Sequence, residues 1–431
     1  MSSEKLKLCN ATENKLLTFV RICIIINKKY VKKELSMKLE LVATCLFGLE
    51  KLLGEEIDAL GYKRIDTMDG RITYEGDERA VFVSNLHLRF AERVFIKLGS
   101  AHVESFSELY DATVALPWED FIGENDAFPV KGHALRSTLY SVPDCQSIVK
   151  KAIVNRLSEK YNRKWFTEEG VKYQIEFFIF KNIATLMIDT TGLPLHKRGY
   201  RIEAGAAPLR ETLAAAVVAI SRPREDVLLW DPFCGSGTIA IEAALMMTNT
   251  APGISRKFIC EDFALLSDGS IAKEERAKAF AAIDQDSKFE VYASDIDAEV
   301  LEIAKANAER AGVDDRIKFF NADARRIKKL DRRGTIVCNP PYGERLMSER
   351  EVEYLYRDMG RAFADLSPWQ IYILTSAENF ERLYGRRADK TRKLYNGMIP
   401  CSLYQYFKPA EAKFGAERKQ FDRSYPKNKK K

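Results

Sequence analysis

Two short stretches of this chain carry residues whose types and order suit chemistry. The first is Asp231-Pro-Phe-Cys-Gly-Ser-Gly-Thr238, into which an apolar run, Val227–Trp230, leads directly. Gly235 and Gly237 remove side chains where a ligand must approach the backbone closely. The second is Asn339-Pro-Pro-Tyr342, behind the apolar run Thr335–Cys338. Its prolines fix the turn and expose the Pro340 carbonyl. The Asn339 amide oxygen and that carbonyl can then accept from both N–H bonds of one amino group. An exocyclic amine of a nucleobase is a poor nucleophile, because its lone pair is delocalised into the ring. Two acceptors on its hydrogens turn that pair toward an electrophilic methyl group, such as one on a sulfonium. Tyr342 can stack on the base and hold the line of attack.

The glycines alone also fit a dinucleotide loop, Gly235-x-Gly237-x-x-Ala240. Two details pull away from that reading. Asp231 stands before the glycines at a strand end, suited to a cationic amino-acid group. The next acidic strand end, Asp295, comes 64 residues later, whereas a dinucleotide unit places one after about 20. There is no Gly-Lys-Ser/Thr, which excludes a phosphate P-loop. Asp295 closes the run Glu290–Ser294 and suits the two hydroxyls of a ribose. Asp323, after Ile317–Asn321, suits an adenine amine. Each aspartate alone reads equally as a turn or cap residue; three at the ends of successive strands read as a nucleoside site. Methylation at a cytosine carbon would need a nucleophilic Cys in the second turn. Tyr342 stands there instead, and Cys338 lies inside the preceding strand.

These motifs need a scaffold of alternating elements. From residue 200 the helical candidates are Pro208–Ile220, Gly237–Met247, Ala298–Ala311 and Glu351–Leu366. The strand candidates are Val227–Trp230, Glu290–Ser294, Ile317–Asn321, Thr335–Cys338 and Ile371–Leu374. Such alternation predicts a mostly parallel sheet covered on both faces, with ligands at the carboxyl ends of its strands.

Residues 37–100 read as a small α+β unit. Leu39–Cys45 is a strand, Leu49–Leu60 a helix, Arg71–Tyr74 a strand and Ala80–Asn85 a strand or turn. Residues 101–190 read as a second such unit. Ala127–Val130 and Ala134–Ser137 are strand ends around Lys131–His133. A helix opens at Pro143 with Asp144 as its cap and with Val149, Ile153 and Leu157 as its apolar stripe. Tyr173–Ile179 and Ala184–Asp189 are strands. From Lys131 to Lys164 eight Lys/Arg stand against two acids. That is either a solvated face or a phosphate-contacting one, with Tyr140, Tyr161 and Trp165 near enough to stack.

Of the 431 residues, 46% are hydrophobic and 30% charged, which suits a globular protein with ample core. The net charge of +6 sits at the ends: residues 1–36 and 417–431 each sum to +5, leaving −4 between them. Overall basicity is therefore no argument for a polyanion partner. Eight Cys without a C-x-x-C pair read as reduced thiols of a cytoplasmic protein. Four scattered His predict no metal site. The run Leu16–Ile26 is too short to span a bilayer. The expected layout is an extension over 1–36, units at 37–100 and 101–190, a catalytic domain at 191–412 and a basic tail at 413–431.

The motifs resemble the class I methyltransferases that act on exocyclic amines. From Met37 to about residue 410 the chain resembles the THUMP-domain RNA methyltransferases, and among them the bacterial 23S ribosomal RNA guanine-N2 methyltransferases. The resemblance is carried by Leu195-His-Lys-Arg-Gly-Tyr-Arg201, Ala207-Pro-Leu-Arg-Glu-Thr-Leu-Ala-Ala-Ala216, Asp231–Thr238 and Asn339-Pro-Pro-Tyr-Gly-Glu344. The insertion Asn249–Arg256 also belongs to it and accounts for the long gap to Asp295. It implies an α/β fold, a Rossmann-like methyltransferase domain preceded by a ferredoxin-like unit and a THUMP RNA-binding domain. It implies S-adenosylmethionine as cofactor, held by Asp231, Phe233, Gly235, Gly237, Asp295, Asp323 and Asn339. Catalysis falls to Asn339, Pro340 and Tyr342, and the helix from Pro208 closes over the cofactor. The implied partner is RNA, 23S rRNA or a ribosome-assembly intermediate, with no membrane and no metal. The chain lacks the second methyltransferase domain of the longer, fused members, so one activity is expected. The alternatives are guanine-N2 methylation of tRNA, adenine-N6 methylation of DNA (which would not need the basic unit), a non-catalytic RNA-binding module and a hydride-transferring dehydrogenase.

Overall fold

The computed structural model describes residues 37–201, 209–266, 268–342 and 348–407. The expected extension over 1–36, the basic tail and Pro208 lie outside the described residues.

The first half contains β1 (Leu39–Cys45), α1 (Glu50–Ala59), β2 (Arg64–Met68), β3 (Arg71–Gly76), α2 (Glu78–His87) and β4 (Ala91–His102). It continues with α3 (Phe106–Val114), β5 (Val130–Leu135), α4 (Val142–Tyr161), β6 (Ile175–Phe180) and β7 (Ile183–Asp189). All seven strands form one sheet in the order β2-β3-β1-β4-β7-β6-β5, antiparallel except where β5 meets β6. The hinge of this arrangement is β4, twelve residues long. One edge of it pairs with β1 from Ala91 to Lys97, and the other with β7 from Phe95 to His102. The division between residues 100 and 101 thus falls inside a strand shared by both units.

Three local expectations are corrected here. Ala80–Asn85 is helical, within α2. The Asp77 carboxylate caps it by accepting from the Ala80 N–H at 2.8 Å. Every residue from Ala80 to Leu86 is buried, so the segment lacks the polar face that betrays a surface helix. Asp144 is not the cap of α4; Ser141 holds that position, and its hydroxyl donates to the Asp144 carboxylate one turn in. Residues 127–137 hold one strand, β5, in which Lys131–His133 are central. The stripe Val149, Ile153 and Leu157 is fully buried, as its spacing requires. The basic run is partly spent on internal pairs: Lys150 with Glu168, Arg156 with Glu119 and Arg163 with Glu124. The Tyr161 hydroxyl donates to the Ile122 carbonyl, whereas Tyr140 and Trp165 are exposed by 82% and 80%.

The second half contains α5 (Glu211–Ser221), β8 (Leu228–Asp231), α6 (Thr238–Met247), α7 (Ser270–Ala281), β9 (Val291–Asp295), α8 (Ala298–Ala311) and β10 (Ile317–Asn321). Then come β11 (Gly334–Cys338), α9 (Glu349–Ala364), β12 (Gln370–Thr375), α10 (Phe380–Tyr384), β13 (Lys390–Asn396) and β14 (Ile399–Tyr406). Their order is β10-β9-β8-β11-β12-β14-β13. The first five strands are parallel, and β14 and β13 are antiparallel additions. Strand order reverses between β8 and β11, the place where open α/β sheets bind ligands.

Buried charge joins the halves. Glu242 on α6 is fully buried. It accepts from the Tyr200 hydroxyl at 3.1 Å and lies 3.4 and 3.5 Å from the guanidinium nitrogens of Arg198 and Arg89. Arg89 also donates to the Thr250 carbonyl at 2.6 Å. An ion so deeply enclosed is tolerable only with such partners. Nearby, Glu92 of β4 accepts from Thr212 at 2.6 Å and Arg210 at 3.0 Å, and pairs with His196.

Candidate active site

The glycine loop grows from the carboxyl end of β8. Asp231, its last residue, is 1% exposed, and one carboxylate oxygen accepts from the Phe233 N–H at 3.1 Å. Burial pushes this carboxyl well above the ordinary range, and the charge of Asp295 adds to the effect against the Phe233 amide. A cationic group arriving there would reverse that imbalance. Gly235 and Gly237 have φ of +50° and +85°, where side chains are strained. A Cβ on Gly235 would project into open space, and one on Gly237 would lie 3.1 Å from the Ala304 Cβ of α8. The loop can therefore admit a ligand along its backbone at Gly235 and pack on a helix at Gly237. Phe233 is half-buried between them and Asp231.

Asp295 ends β9 and is tied to this loop. One oxygen accepts from the Gly235 N–H at 3.0 Å and the other from the Asp297 N–H at 3.1 Å. Each oxygen keeps a second lone pair, enough for a diol. Asp323 lies two residues beyond β10 and is clasped by Arg325, whose guanidinium holds its carboxyl below the usual range. An adenine amine would share this carboxylate with Arg325. Ile296, between the two strand-end acids, is 63% exposed. It offers a flat apolar contact that no spacing in the sequence singles out.

The second turn leaves β11 one strand away, since β11 pairs with β8 in parallel at Ile336↔Trp230. Asn339 begins it. Its side-chain oxygen is buried and accepts no hydrogen bond, an arrangement that costs about 1–3 kcal/mol. The Tyr356 hydroxyl on α9 anchors the turn, reaching the Pro341 carbonyl and the Thr375 hydroxyl, each at 2.9 Å. The anchored carbonyl is one residue beyond the Pro340 carbonyl that the sequence assigns to the amine. Tyr342 is half-buried, and its hydroxyl accepts from Asn396 at 3.4 Å. Burial raises the phenol, keeping it neutral. Cys338 is fully buried and its thiol is pushed well up, so it offers no thiolate.

Sequence reasoning missed Tyr356, Asn396 and the hairpin that carries Asn396. The Asn396-Gly397 dipeptide between two apolar-alternating runs is the signal that marks such a turn. Among the described residues no cluster of His, Cys, Asp and Glu has metal-binding geometry, and no helix is long and apolar enough to cross a membrane.

Comparison with known proteins agrees with this layout. Residues 198–405 match the model of the RMKL-like methyltransferase domain, 40–95 the RlmL ferredoxin-like domain and 103–189 the THUMP domain. The chain is 44% identical to YpsC of Bacillus subtilis (strain 168), named as a candidate RNA methyltransferase, over 86% of this chain and 96% of that one. It is 33% identical to the ribosomal RNA large subunit methyltransferase K/L of Psychromonas ingrahamii over 83% of its own length, spanning about half (49%) of that relative. Among solved structures, a possible methylase from Clostridium difficile 630 superposes with a TM-score of 0.83 at 46% identity, covering 86% of this chain and 99% of that one. SMU.472, a methyltransferase solved with S-adenosylhomocysteine, gives 0.82 at 38% identity, covering 87% and 99%.

Proposed function

The chain belongs to the RlmKL family of RNA methyltransferases, and from that premise we propose that it methylates the exocyclic N2 amine of a guanine in 23S ribosomal RNA. The observation that carries this reading is the buried, unpartnered oxygen of Asn339. A buried acceptor left without a partner in the protein suits an N–H donor brought by a substrate. In our assignment Asn339 and the Pro340 carbonyl take the two N–H bonds of the base amine. The Tyr342 ring stacks on the base, and Tyr356 and Asn396 keep that turn rigid.

S-adenosylmethionine is the methyl donor of this reading, and when bound it supplies a methyl group on a sulfonium. The residues fit it: Asp231 for its ammonium, Gly235 and Gly237 for backbone approach, Asp295 for its ribose hydroxyls, and Phe233 and Asp323 along the remainder. The relative solved with S-adenosylhomocysteine supports this choice. RNA rather than DNA is favoured by the THUMP match and by the exposed Tyr140 and Trp165 of a unit that also presents Lys131 and Lys151 to solvent. The name of the Psychromonas relative supports large-subunit rRNA over tRNA.

The test is to incubate the protein with labelled S-adenosylmethionine and, separately, unmodified 23S rRNA, 16S rRNA and bulk tRNA, then identify the labelled nucleoside by mass spectrometry. N2-methylguanosine in 23S rRNA is expected. The same nucleoside in tRNA would move the substrate, and N6-methyladenosine would move the atom. No label in any RNA would overturn the reading.

A further inference from the structure

The β13–β14 hairpin outruns the sheet that carries it. The last pair between β12 and β14 is Thr375↔Ser402. The hairpin continues through Leu394↔Cys401, Tyr395↔Pro400 and Asn396↔Ile399. Three further pairs carry the ribbon about 10 Å beyond the carboxyl edge of the sheet, at about 3.3 Å per residue. That is the edge where the cofactor and base turns lie.

The ribbon is braced on both sides. Asn396 donates to the Tyr342 hydroxyl at 3.4 Å. From the first half, Phe47 meets Tyr395 edge-on with ring centres 5.9 Å apart, and the Gly48 carbonyl accepts from Arg392 at 2.6 Å. The tip beyond these braces is apolar and open. Met398 is 94% exposed and Ile399 41%, and the bracing Phe47 is itself 55% exposed. A large apolar side chain held that far into solvent contributes nothing to folding. Cations flank it: Lys393 lies 5.6 Å from the Tyr395 ring, and Arg210 Nη2 would lie 3.6 Å from a Cβ on Gly397.

We propose that this hairpin is a wedge that enters the RNA stack beside the target nucleotide, with Met398 filling the gap left when the target base turns out toward Asn339. The inference rests on the base-methylation reading but not on which amine is methylated. A stacked or paired base cannot bring its amine to an acceptor buried as Asn339 Oδ1 is, so the base must leave the stack at a cost of a few kcal/mol. Inserted Met, Leu, Ile, Phe or Pro side chains are the usual means of holding such a step open. Lys393 then meets a flanking phosphate, and Phe47 is placed to stack on a neighbouring base. The occupant is RNA because the ribbon is held against Tyr342 of the base turn and carries Lys393 and Tyr395, with Phe47 packed on it.

The test uses the full chain with Met398→Ala and Met398→Leu. Methyl transfer is followed on unmodified 23S rRNA folded with magnesium and on the same transcript cut to short unstructured fragments. Met398→Ala should lose about tenfold or more in kcat/KM on the folded RNA and at least fivefold less than that on the fragments, with Met398→Leu restoring most of the loss. Equal losses on both, or none on folded RNA, would overturn the wedge. A second readout needs no methyl transfer. Irradiating the protein with 4-thiouridine-substituted 23S rRNA and S-adenosylhomocysteine should attach RNA to the peptide spanning Tyr395–Cys401. Absence of that adduct overturns the wedge even where methylation proceeds. The adduct together with no methylation of any RNA overturns the catalytic reading, and with it the wedge for a target base, while the contact of this hairpin with RNA stands.

Discussion

The two seven-stranded sheets of this molecule treat their buried polar groups in opposite ways. In the first, polar atoms close on one another. The Asn85 amide donates to Thr190 and to the Val81 carbonyl, the Thr191 hydroxyl donates to the Asn85 oxygen, and Thr191 accepts from the Val94 N–H. Tyr74 and Ser84 pair in the same core. In the second, polar groups at the carboxyl edge are left short of partners: the Asn339 oxygen has none, and Asp231 is buried beside a second acid. Satisfied networks hold a shape, and on the reading proposed above the deficits at Asn339 and Asp231 are met by a ligand. One sheet serves as a rigid mount and the other keeps open valences.

The contrast can be broken most decisively at Asn339. Asn339→Ala should lower kcat about 10²–10³-fold, the scale of removing one positioned hydrogen-bonding group. Cofactor affinity should change little, because the role assigned to the oxygen is at the base amine, and the melting temperature should hold or rise, because a buried oxygen without a partner is removed. A substantial loss of stability would mean that the oxygen is structural after all. Next comes Asp231→Asn, which should weaken S-adenosylmethionine binding about 30–100-fold by calorimetry, the cost of removing one partner of a buried charge pair. The sign of its pH dependence is fixed. The carboxyl is raised by burial in the free protein, and a bound cation lowers it. Binding therefore releases a proton, and affinity rises with pH until Asp231 is ionised in the free protein. Proton uptake on binding would contradict this arrangement.

Two smaller effects sharpen the comparison from the other side. Asn85→Ala removes the amide that joins Thr190 and Thr191 and should cost about 2 kcal/mol of stability by denaturant unfolding, with kcat unchanged at a temperature where the protein stays folded. Tyr356→Phe removes the donor to the Pro341 carbonyl. It should cost about 1 kcal/mol in stability and lower kcat about fivefold without altering cofactor affinity. Loss of affinity instead would place Tyr356 nearer the cofactor than to the base turn.

Much of the second sheet was legible in the sequence because its central strands β8 and β11 are buried throughout and its parallel strands read as short runs rich in apolar residues, each set before a turn or a helix. Ile317–Asn321 and Ala298–Ala311 agree with the structure residue for residue, and the others differ by a few residues at their ends. The acidic strand ends were legible because each follows such a run. What escaped was what depends on neighbours distant in the chain. Ala80–Asn85 carries no polar stripe because α2 is covered all round. The ends of β5 were split because Lys131 and His133 look like a turn until β6 is set beside them. The unpaired state of Asn339 Oδ1 and the anchoring of its turn by Tyr356 are properties of packing, which no local pattern records. The Asn396-Gly397 signal was local, but its bearing on Tyr342 was not.

The length of β4 has a consequence for which substrates the protein can serve. Because a single strand, β4, pairs with both N-terminal units, and Glu92 on it and Arg89 just before it fasten it to the second half, the distance from an RNA grip on one to the Asn339 turn on the other is set by covalent and hydrogen-bonded geometry. On the reading proposed above such a molecule would work as a ruler, selecting a nucleotide by how far it stands from a landmark; lengthening an RNA helix between the two by a few base pairs should then silence a site whose own sequence is untouched.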